Sequence, residues 1–406
     1  MDTIEVRDLY YRINRSTILE SISFSVDSCE LVGLVGPNGS GKTTLLRVLG
    51  GIFKPSIGTV CVNGRNIHEM GDRERAKLVS YMPQTFYGDF SLSVRELVLM
   101  GRYPYRGRLE RFTLEDKEKS LRMIEYVGMS RLMDRPFNKL SGGEKQLALL
   151  AKILSQETDI ILLDEPTSNL DIKHQDRIFS ILYELSREGK ILITAIHNLN
   201  VASRYCSRII MLSKGRIERD GGVEDVIEPG VIEKVYGVKA VVAPDISTGF
   251  LNVNVMPRQF GKRLPKVHLI GGAGSAINLT RELFRLGFKI TGGIAHNFDS
   301  DLTLWNNLGI ESVNVEAFSV IGEGDIKLAR KLVERADVTV LCEFPVGPGN
   351  VGNLELAMFA RRLIIIEDKN SPLHRNFYDR KAETLFRKLL GRGEVLSYED
   401  TLTLLV

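Results

Sequence analysis

The chain has 406 residues, 43% hydrophobic and 26% charged, with a formal net charge of +3. That length exceeds what one core usually fills, so two domains are expected. The near balance of charge excludes a global field that would draw the whole protein to nucleic acid or to an anionic surface. Cys29, Cys61, Cys206 and Cys342 stand far apart with no Cys-x-x-Cys pair, which argues against a structural zinc site or a disulfide framework and for reduced, buried thiols in the cytosol. Residues 1–5 have neither the charged lead nor the apolar core of a signal peptide, and no run approaches 18 apolar residues, so no membrane span is expected.

Alternating patterns at residues 4–11 and 19–26 predict antiparallel strands with one solvated face. The apolar run 31–35 then empties into Gly36, Pro37, Asn38, Gly39, Ser40, Gly41, Lys42, Thr43 and Thr44, followed by a helix-like segment at 45–49. Strand, glycine-rich turn, lysine, threonine and helix at this spacing form the full phosphate-loop pattern of a nucleoside triphosphate site. Small residues let the backbone wrap the β- and γ-phosphates, Lys42 adds a mobile positive charge, and the Thr43 hydroxyl is a ligand for Mg²⁺.

Further along, 58–64 reads as a short strand, 74–78 as a helix and 79–82 as extended. Residues 91–135 have helical spacing, with Ser91 and Ser93 as candidate caps, and predict a helical insertion carrying a basic run of Arg102, Arg106, Arg108 and Arg111. The runs 160–163 and 191–196 are continuously apolar, as in parallel strands buried on both faces, and 176–185 between them is amphipathic. Asp164 and Glu165 end the first of these strands, where α/β sheets hold ligands. Asp164 is suited to hold Mg²⁺ and Glu165 to polarise the water that attacks the γ-phosphate. Residues 208–212 and 216–220 predict a hairpin.

The segment from Leu140 through Ser141, Gly142 and Gly143 to Gln146, just before a leucine-bearing helix, resembles the signature of ABC-type ATPases. Gln84 after Tyr81-Met82-Pro83 resembles that family's Q-loop, Ser168-Asn169-Leu170-Asp171 its D-loop, and His197 after a buried strand its switch histidine. The resemblance covers residues 1 to about 255 and implies ATP hydrolysis with Mg²⁺ by a head-to-tail dimer. Lys42, Thr43, Gln84, Asp164, Glu165 and His197 then act in cis, and the Ser141 loop of a second copy completes the site. Gln84, Glu165 and His197 are the implied catalytic residues, and Thr43, Gln84 and Asp164 the metal ligands. Ile13 stands where the family carries an aromatic residue against adenine, so apolar packing by Ile13, or by Tyr11 of the same strand face, is expected there.

Residues 96–105 resemble the stretch after the Q-loop in ATPases of importers for iron-siderophore, haem and cobalamin, which implies transmembrane permease partners and, indirectly, a substrate-binding protein. The basic run then meets a partner, meets headgroups, or forms a solvated face. The implied location is the cytoplasmic side of the cell membrane, with no nucleic-acid partner. The competing class is a soluble ABC ATPase of DNA repair or translation, but the coiled-coil insertions, zinc modules or tandem cassettes common there are not in the sequence.

Two prolines, a glycine and basic residues interrupt all periodicity at 257–265, the expected linker. Residues 266–406 then alternate five predicted strands with helices. The expectation is α/β throughout: an ABC ATPase domain at 1–256, with a mixed sheet and a helical subdomain at about 88–140, followed by a small doubly wound Rossmann-like domain. Gly271, Gly272, Gly274 and Ser275 lie where such a sheet holds an anion, although Ile277 replaces the third fingerprint glycine. Gly292, Gly293 and Gly349 add glycine-rich strand ends, and together they predict a ligand cleft. A nucleotide or phosphometabolite sensor is the first expectation, and an enzyme acting on the imported cofactor the second.

Overall fold

A computed structural model describes residues 3–14, 16–84, 91–107, 110–168, 170–245, 247–256, 264–367, 377–378 and 380–406. The chain forms two compact units, Met1–Val238 with Pro244–Asn252, and Lys239–Ala243 with Val253–Val406. The division falls earlier than expected. Residues 240–244 and 251–255 read as alternating strands and pair as a hairpin, while 257–263 of the expected linker lie outside the described residues.

In the first unit the strands are β1 (Thr3–Ile13), β2 (Ser16–Asp27), β3 (Leu31–Val35), β4 (Ile57–Val62), β5 (Arg65–Asn66), β6 (Val79–Met82), β7 (Ile160–Asp164), β8 (Ile191–Ala195), β9 (Arg208–Ser213) and β10 (Arg216–Gly221). Its helices are α1 (Lys42–Leu49), α2 (Asp72–Leu78), α3 (Val94–Leu99), α4 (Leu114–Tyr126), α5 (Gly142–Leu154), α6 (Ile172–Arg187), α7 (Leu199–Tyr205), α8 (Val223–Val226) and α9 (Pro229–Tyr236). One sheet is antiparallel, in the order β2-β1-β4-β5; the other runs β10-β9-β3-β8-β7-β6, parallel except for its edge strand β10. Every residue of β3, β7 and β8 is buried, as their unbroken apolar sequence demands. Leu45, Leu46, Val48 and Leu49 of α1 join Leu34, Leu162 and Ile193 in one core beneath the phosphate loop. That core anchors the helix whose first turn the loop forms.

The helical region is built by capping boxes at Ser93, Thr113 and Ser141. Gly88–Phe90, where it was expected to begin, lie outside the described residues. The basic run there is not one face. Arg102 is 3% exposed, reaching Asp116 at 3.2 Å and Glu157 at 2.9 Å, and Arg106 meets Asp116 at 2.8 Å. These two arginines neutralise buried or half-buried carboxylates, so they do not form the solvated or partner-facing patch expected; Arg108 lies outside the described residues. Among the described residues the four cysteines form no disulfide; Cys206 and Cys342 are buried but Cys29 is exposed, against the expectation that all are buried.

The hairpin strands are β11 (Ala240–Pro244) and β12 (Leu251–Val255). The second unit adds β13 (Lys266–Ile270), β14 (Lys289–Gly292), β15 (Ile294–His296), β16 (Val313–Val315), β17 (Val338–Leu341), β18 (Leu363–Ile366) and β19 (Glu394–Leu396). Its helices are α10 (Ile277–Arg285), α11 (Ser300–Asn307), α12 (Glu323–Arg335), α13 (Gly352–Ala357), α14 (Arg380–Leu390) and α15 (Tyr398–Leu405). A parallel sheet runs β14-β13-β17-β18-β19, and Gly293 carries β14 on into β15, which pairs with β16. The strand order is therefore that of a doubly wound Rossmann-like sheet, in which the topological switch point lies between β13 and β17. β19 and the two last helices were not anticipated from sequence.

Candidate nucleotide-binding site

The phosphate loop is shaped by close approach of its own chain. At Gly36, with φ +147°, a β-carbon would stand 2.2 Å from the Leu212 carbonyl oxygen, and Gly41, the N-cap of α1, has φ +105°. Only glycine adopts both without strain. No side chain caps α1, so its first-turn amides point outward at a helix N-terminus. Lys42 is buried and its Nζ donates to the carbonyls of Gly36 at 2.8 Å and Pro37 at 3.2 Å. Burial holds the ammonium pKa below its ordinary value, and Glu165 and Asp164 oppose that shift.

Thr43 Oγ1 donates to Asp164 Oδ1 at 2.9 Å, and Tyr81 donates to Asp164 Oδ2 at 3.3 Å, with Arg47 Nε 3.4 Å from the Tyr81 oxygen. Desolvation nevertheless raises the Asp164 pKa, and neighbouring Glu165 adds to the shift. A buried carboxylate beside a hydroxyl is a donor set that can hold a cation. Glu165, one residue past β7, has φ +50°. Its carboxylate accepts from Gln84 Nε2 at 2.6 Å and contacts His197 Nε2 on its other oxygen. The three residues expected to be catalytic thus meet at one carboxylate. A cleft of about 520 Å³ is lined by Asn38, Gly39, Ser40, Gly41, Lys42, Thr43 and Thr44 of the loop and by Gln84, Glu165 and His197.

Ile18 lines this cleft, whereas Ile13 sits half exposed at the end of β1. Tyr11 does not line the cleft; its ring stacks on Phe53 with centroids 5.4 Å apart. Ser141, Gly142, Gly143 and Asp171 do not line the cleft. Ser141 caps α5 and Asp171 caps α6; both are exposed, as is Gly142. Gly143 is buried against His174, whose ring would stand 2.4 Å from a β-carbon there and whose Nδ1 lies 2.8 Å from Asp171 Oδ1. His174, which links the two segments, was not singled out in the sequence, nor were Arg47 and Ile18, and Tyr81 was noted only as a neighbour of Gln84; helix periodicity alone marks none of them.

In the second unit the expected anion turn is already filled. Ala273 N donates to Asp299 Oδ2 at 2.9 Å, Ala276 N to Asp301 Oδ1 at 3.0 Å, and Gly272 N to Ser275 Oγ at 3.3 Å. Asp301 is fully buried; desolvation and then Asp299 push its carboxyl up to about 6, while the amides of Ala276, Gly272 and Gly274 oppose the shift. Two carboxylates thus take the place expected for a phosphate at Gly271, Gly272, Gly274 and Ser275. Gly292 is spacing for the core, since a β-carbon would stand 2.5 Å from Trp305, and Gly293 lies 3.3 Å by the same measure from Ile270 Cα. Of the expected residues only Gly349 lines the cleft found here, about 480 Å³ in volume, with His296, Phe298, Asp299, Phe318 and Asn350.

Residues 19–168 match the ABC transporter family, and residues 290–403 match the MJ0874 family. The cobalamin import ATP-binding protein BtuD of Halobacterium salinarum is 33% identical over 319 residues, 78% of this chain and 80% of the relative. The ferric enterobactin transport ATP-binding protein FepC of Escherichia coli is 36% identical over 57% of this chain and 86% of its own. A metal-chelate type ABC transporter solved in an inward-facing conformation shares the fold of 64% of this chain, with a TM-score of 0.56 and 24% identity, and covers 98% of the matched chain. With a phosphate loop, a carboxylate bridging Gln84 and His197, and a relative matching most of both chains, this protein belongs to the ABC transporter family, as an ATP-hydrolysing, ATP-binding subunit.

Proposed function

We propose that the chain powers import of a metal chelate, with a corrinoid as the favoured cargo. The carrying observation for hydrolysis is Glu165, held by Gln84 and His197 at the mouth of the phosphate loop. The support for the cargo class is that the cobalamin-import relative aligns over 319 residues, more than the first unit contains, whereas the ferric enterobactin relative matches 57% of the chain.

In this reading Gly36 to Thr44 bind the phosphates of ATP through backbone amides and the Lys42 ammonium, which exchanges its loop carbonyls for phosphate oxygens. Thr43, Asp164 and Gln84 are the residues that hold Mg²⁺, consistent with the cation-seeking Thr43–Asp164 pair. The ion, when bound, supplies charge neutralisation across the β- and γ-phosphates. Glu165 orients the attacking water and takes its proton; Gln84 and His197 hold the carboxylate in place. Ile18 and Ile13 offer apolar contact to adenine. Ser141, Gly142, Gly143 and Asp171 are exposed or paired away from the cleft, so they serve the ATP of a second copy in a head-to-tail dimer. Transmembrane permease subunits hold that dimer at the cytoplasmic face of the membrane and meet a substrate-binding protein on its other side. The second unit is a metabolite sensor that adjusts turnover.

Glu165→Gln tests the core of this. Phosphate release falls at least about 100-fold while ATP stays bound and the variant sediments as a dimer; unchanged turnover removes Glu165 from its role. Uptake of labelled cobalamin and of a ferric siderophore in cells lacking the gene then separates the cargoes.

A further inference from the structure

The cleft of the second unit is flanked by two phenylalanines whose conformation the fold alone does not reward. Phe298 follows β15 and Phe318 follows β16, neighbouring parallel strands joined at their ends by Asn297 N to the Val315 carbonyl at 2.8 Å and by His296 Nε2 to the Ser319 carbonyl at 2.9 Å. Phe298 is 93% exposed and Phe318 fully exposed, yet φ is +72° at the first and +64° at the second. A bulky side chain in the left-handed region is strained. Neither ring buries itself in return. Two such residues on one cleft mark a place shaped for something that covers them.

The cleft's polar groups narrow what that is. Asp299 carries a negative charge into it, with buried Asp301 behind. Several donors at the cleft are used inside the protein: Gly347 N on Asn350 Oδ1 at 2.8 Å and Asn350 Nδ2 on the Pro345 carbonyl at 2.9 Å, while in the neighbouring turn Ala273 N is held by Asp299 and Ala276 N by Asp301. The Asp299 oxygens each accept one backbone amide, from Asp301 at 2.8 Å and Ala273 at 2.9 Å, and each keeps a further lone pair. About 480 Å³ is the size of a pocket for a small ligand.

We propose that this cleft binds a planar heteroaromatic base, carried as a nucleoside without phosphate, stacked on Phe298 and Phe318 with its N–H edge donating to Asp299. Stacking on an exposed ring tolerates any base, so Asp299 supplies the selection for a donor edge and against a phosphate. The inference rests on the reading of this unit as a sensor and names the ligand class it takes.

The full chain offers its own probe, because Trp305 is its single tryptophan and is buried in this unit. With the cassette site saturated by Mg·ADP, adenosine and guanosine are titrated by calorimetry, with AMP as the phosphorylated control, and the unfolding of Trp305 is followed by fluorescence. The expected result is one added nucleoside site, a rise in the Trp305 transition, and binding of AMP at least tenfold weaker. Phe298→Asn and Phe318→Asn, which tolerate the left-handed backbone, lose at least tenfold in nucleoside affinity while the ligand-free Trp305 transition is kept. Absence of any nucleoside binding overturns the proposal, as does tighter binding of AMP, binding unaltered in both Asn variants, or self-association through these rings in the wild type. Nucleoside binding that leaves ATP turnover unchanged keeps the site and overturns only the sensor reading.

Discussion

The chain contains two glycine-rich turns, each leading from a buried parallel strand into a helix, and they do opposite things. After β3, the turn Gly36 to Gly41 leaves the first amides of α1 without any side-chain cap and aims a lysine back at its own carbonyls, which is a place prepared for external anions. After β13, the turn Gly271 to Ala276 satisfies its amides with Asp299, Asp301 and Ser275 of the same unit. The second turn carries no lysine, and its anions are covalently part of the fold. Glycine spacing alone therefore says that backbone comes close to something, and only the neighbouring side chains decide whether that something is a ligand.

The largest effect that sharpens this contrast is Lys42→Ala. Removing the ammonium from the phosphate loop costs about 100- to 1,000-fold in ATP turnover, measured as phosphate release. Ser275→Ala in the other turn is expected to leave the rate unchanged. An equal loss from both would erase the distinction between the turns.

The second turn carries a pH signature of its own. Asp301 has its carboxyl raised to about 6 by burial, above its value in an unfolded chain. A group so raised contributes stability that is fully present below pH 4 and lost as pH rises through about 6. The effect amounts to no more than about 3 kcal/mol. Trp305 fluorescence during urea unfolding reads it. The second unit gains stability between pH 7 and 5, and Asp301→Asn flattens that dependence; a slope that persists in the variant assigns it to another group.

Much of the first unit was legible in sequence because its motifs are contiguous: Gly36 to Thr44, Asp164-Glu165 and Ser141 to Gly143 each carry their chemistry within one short segment. What lay hidden was tertiary. Tyr81 reaches Asp164 and His174 lies on Gly143 across separations that no periodicity reports. Arg102 looked like surface charge in the sequence, but it is buried because Asp116 and Glu157 arrive from other segments. In the second unit the strands after 266 were readable from their apolar runs, while the occupants of the anion turn were not. Asp299 and Asp301 lie about 25 residues downstream of the turn they fill. Gly292 resembled a ligand turn and is the gap into which Trp305 fits. Gly292→Ala is expected to destabilise the second unit by about 1–3 kcal/mol through overpacking, seen as an earlier Trp305 transition with ATP turnover retained.

The smallest expected effect is at Ala273, where the second turn already carries a methyl that the first could not accept. Gly36 has φ +147° with a carbonyl 2.2 Å from where a methyl would stand, so alanine there deforms the phosphate loop and ATP binding is lost. Ala273 has φ +55° and already carries its methyl in the left-handed region. That conformation costs an alanine about 1–2 kcal/mol, whereas glycine adopts it freely but gives up about 0.4–1 kcal/mol of unfolded-chain restriction. The two terms nearly cancel, and Ala273→Gly is expected to stabilise by about 0.5 kcal/mol, or roughly 1–2 °C in the Trp305 transition. A fall in that transition means the Ala273 methyl makes contacts worth more than its strain, and the second turn is then held by side-chain packing as well as by its two carboxylates.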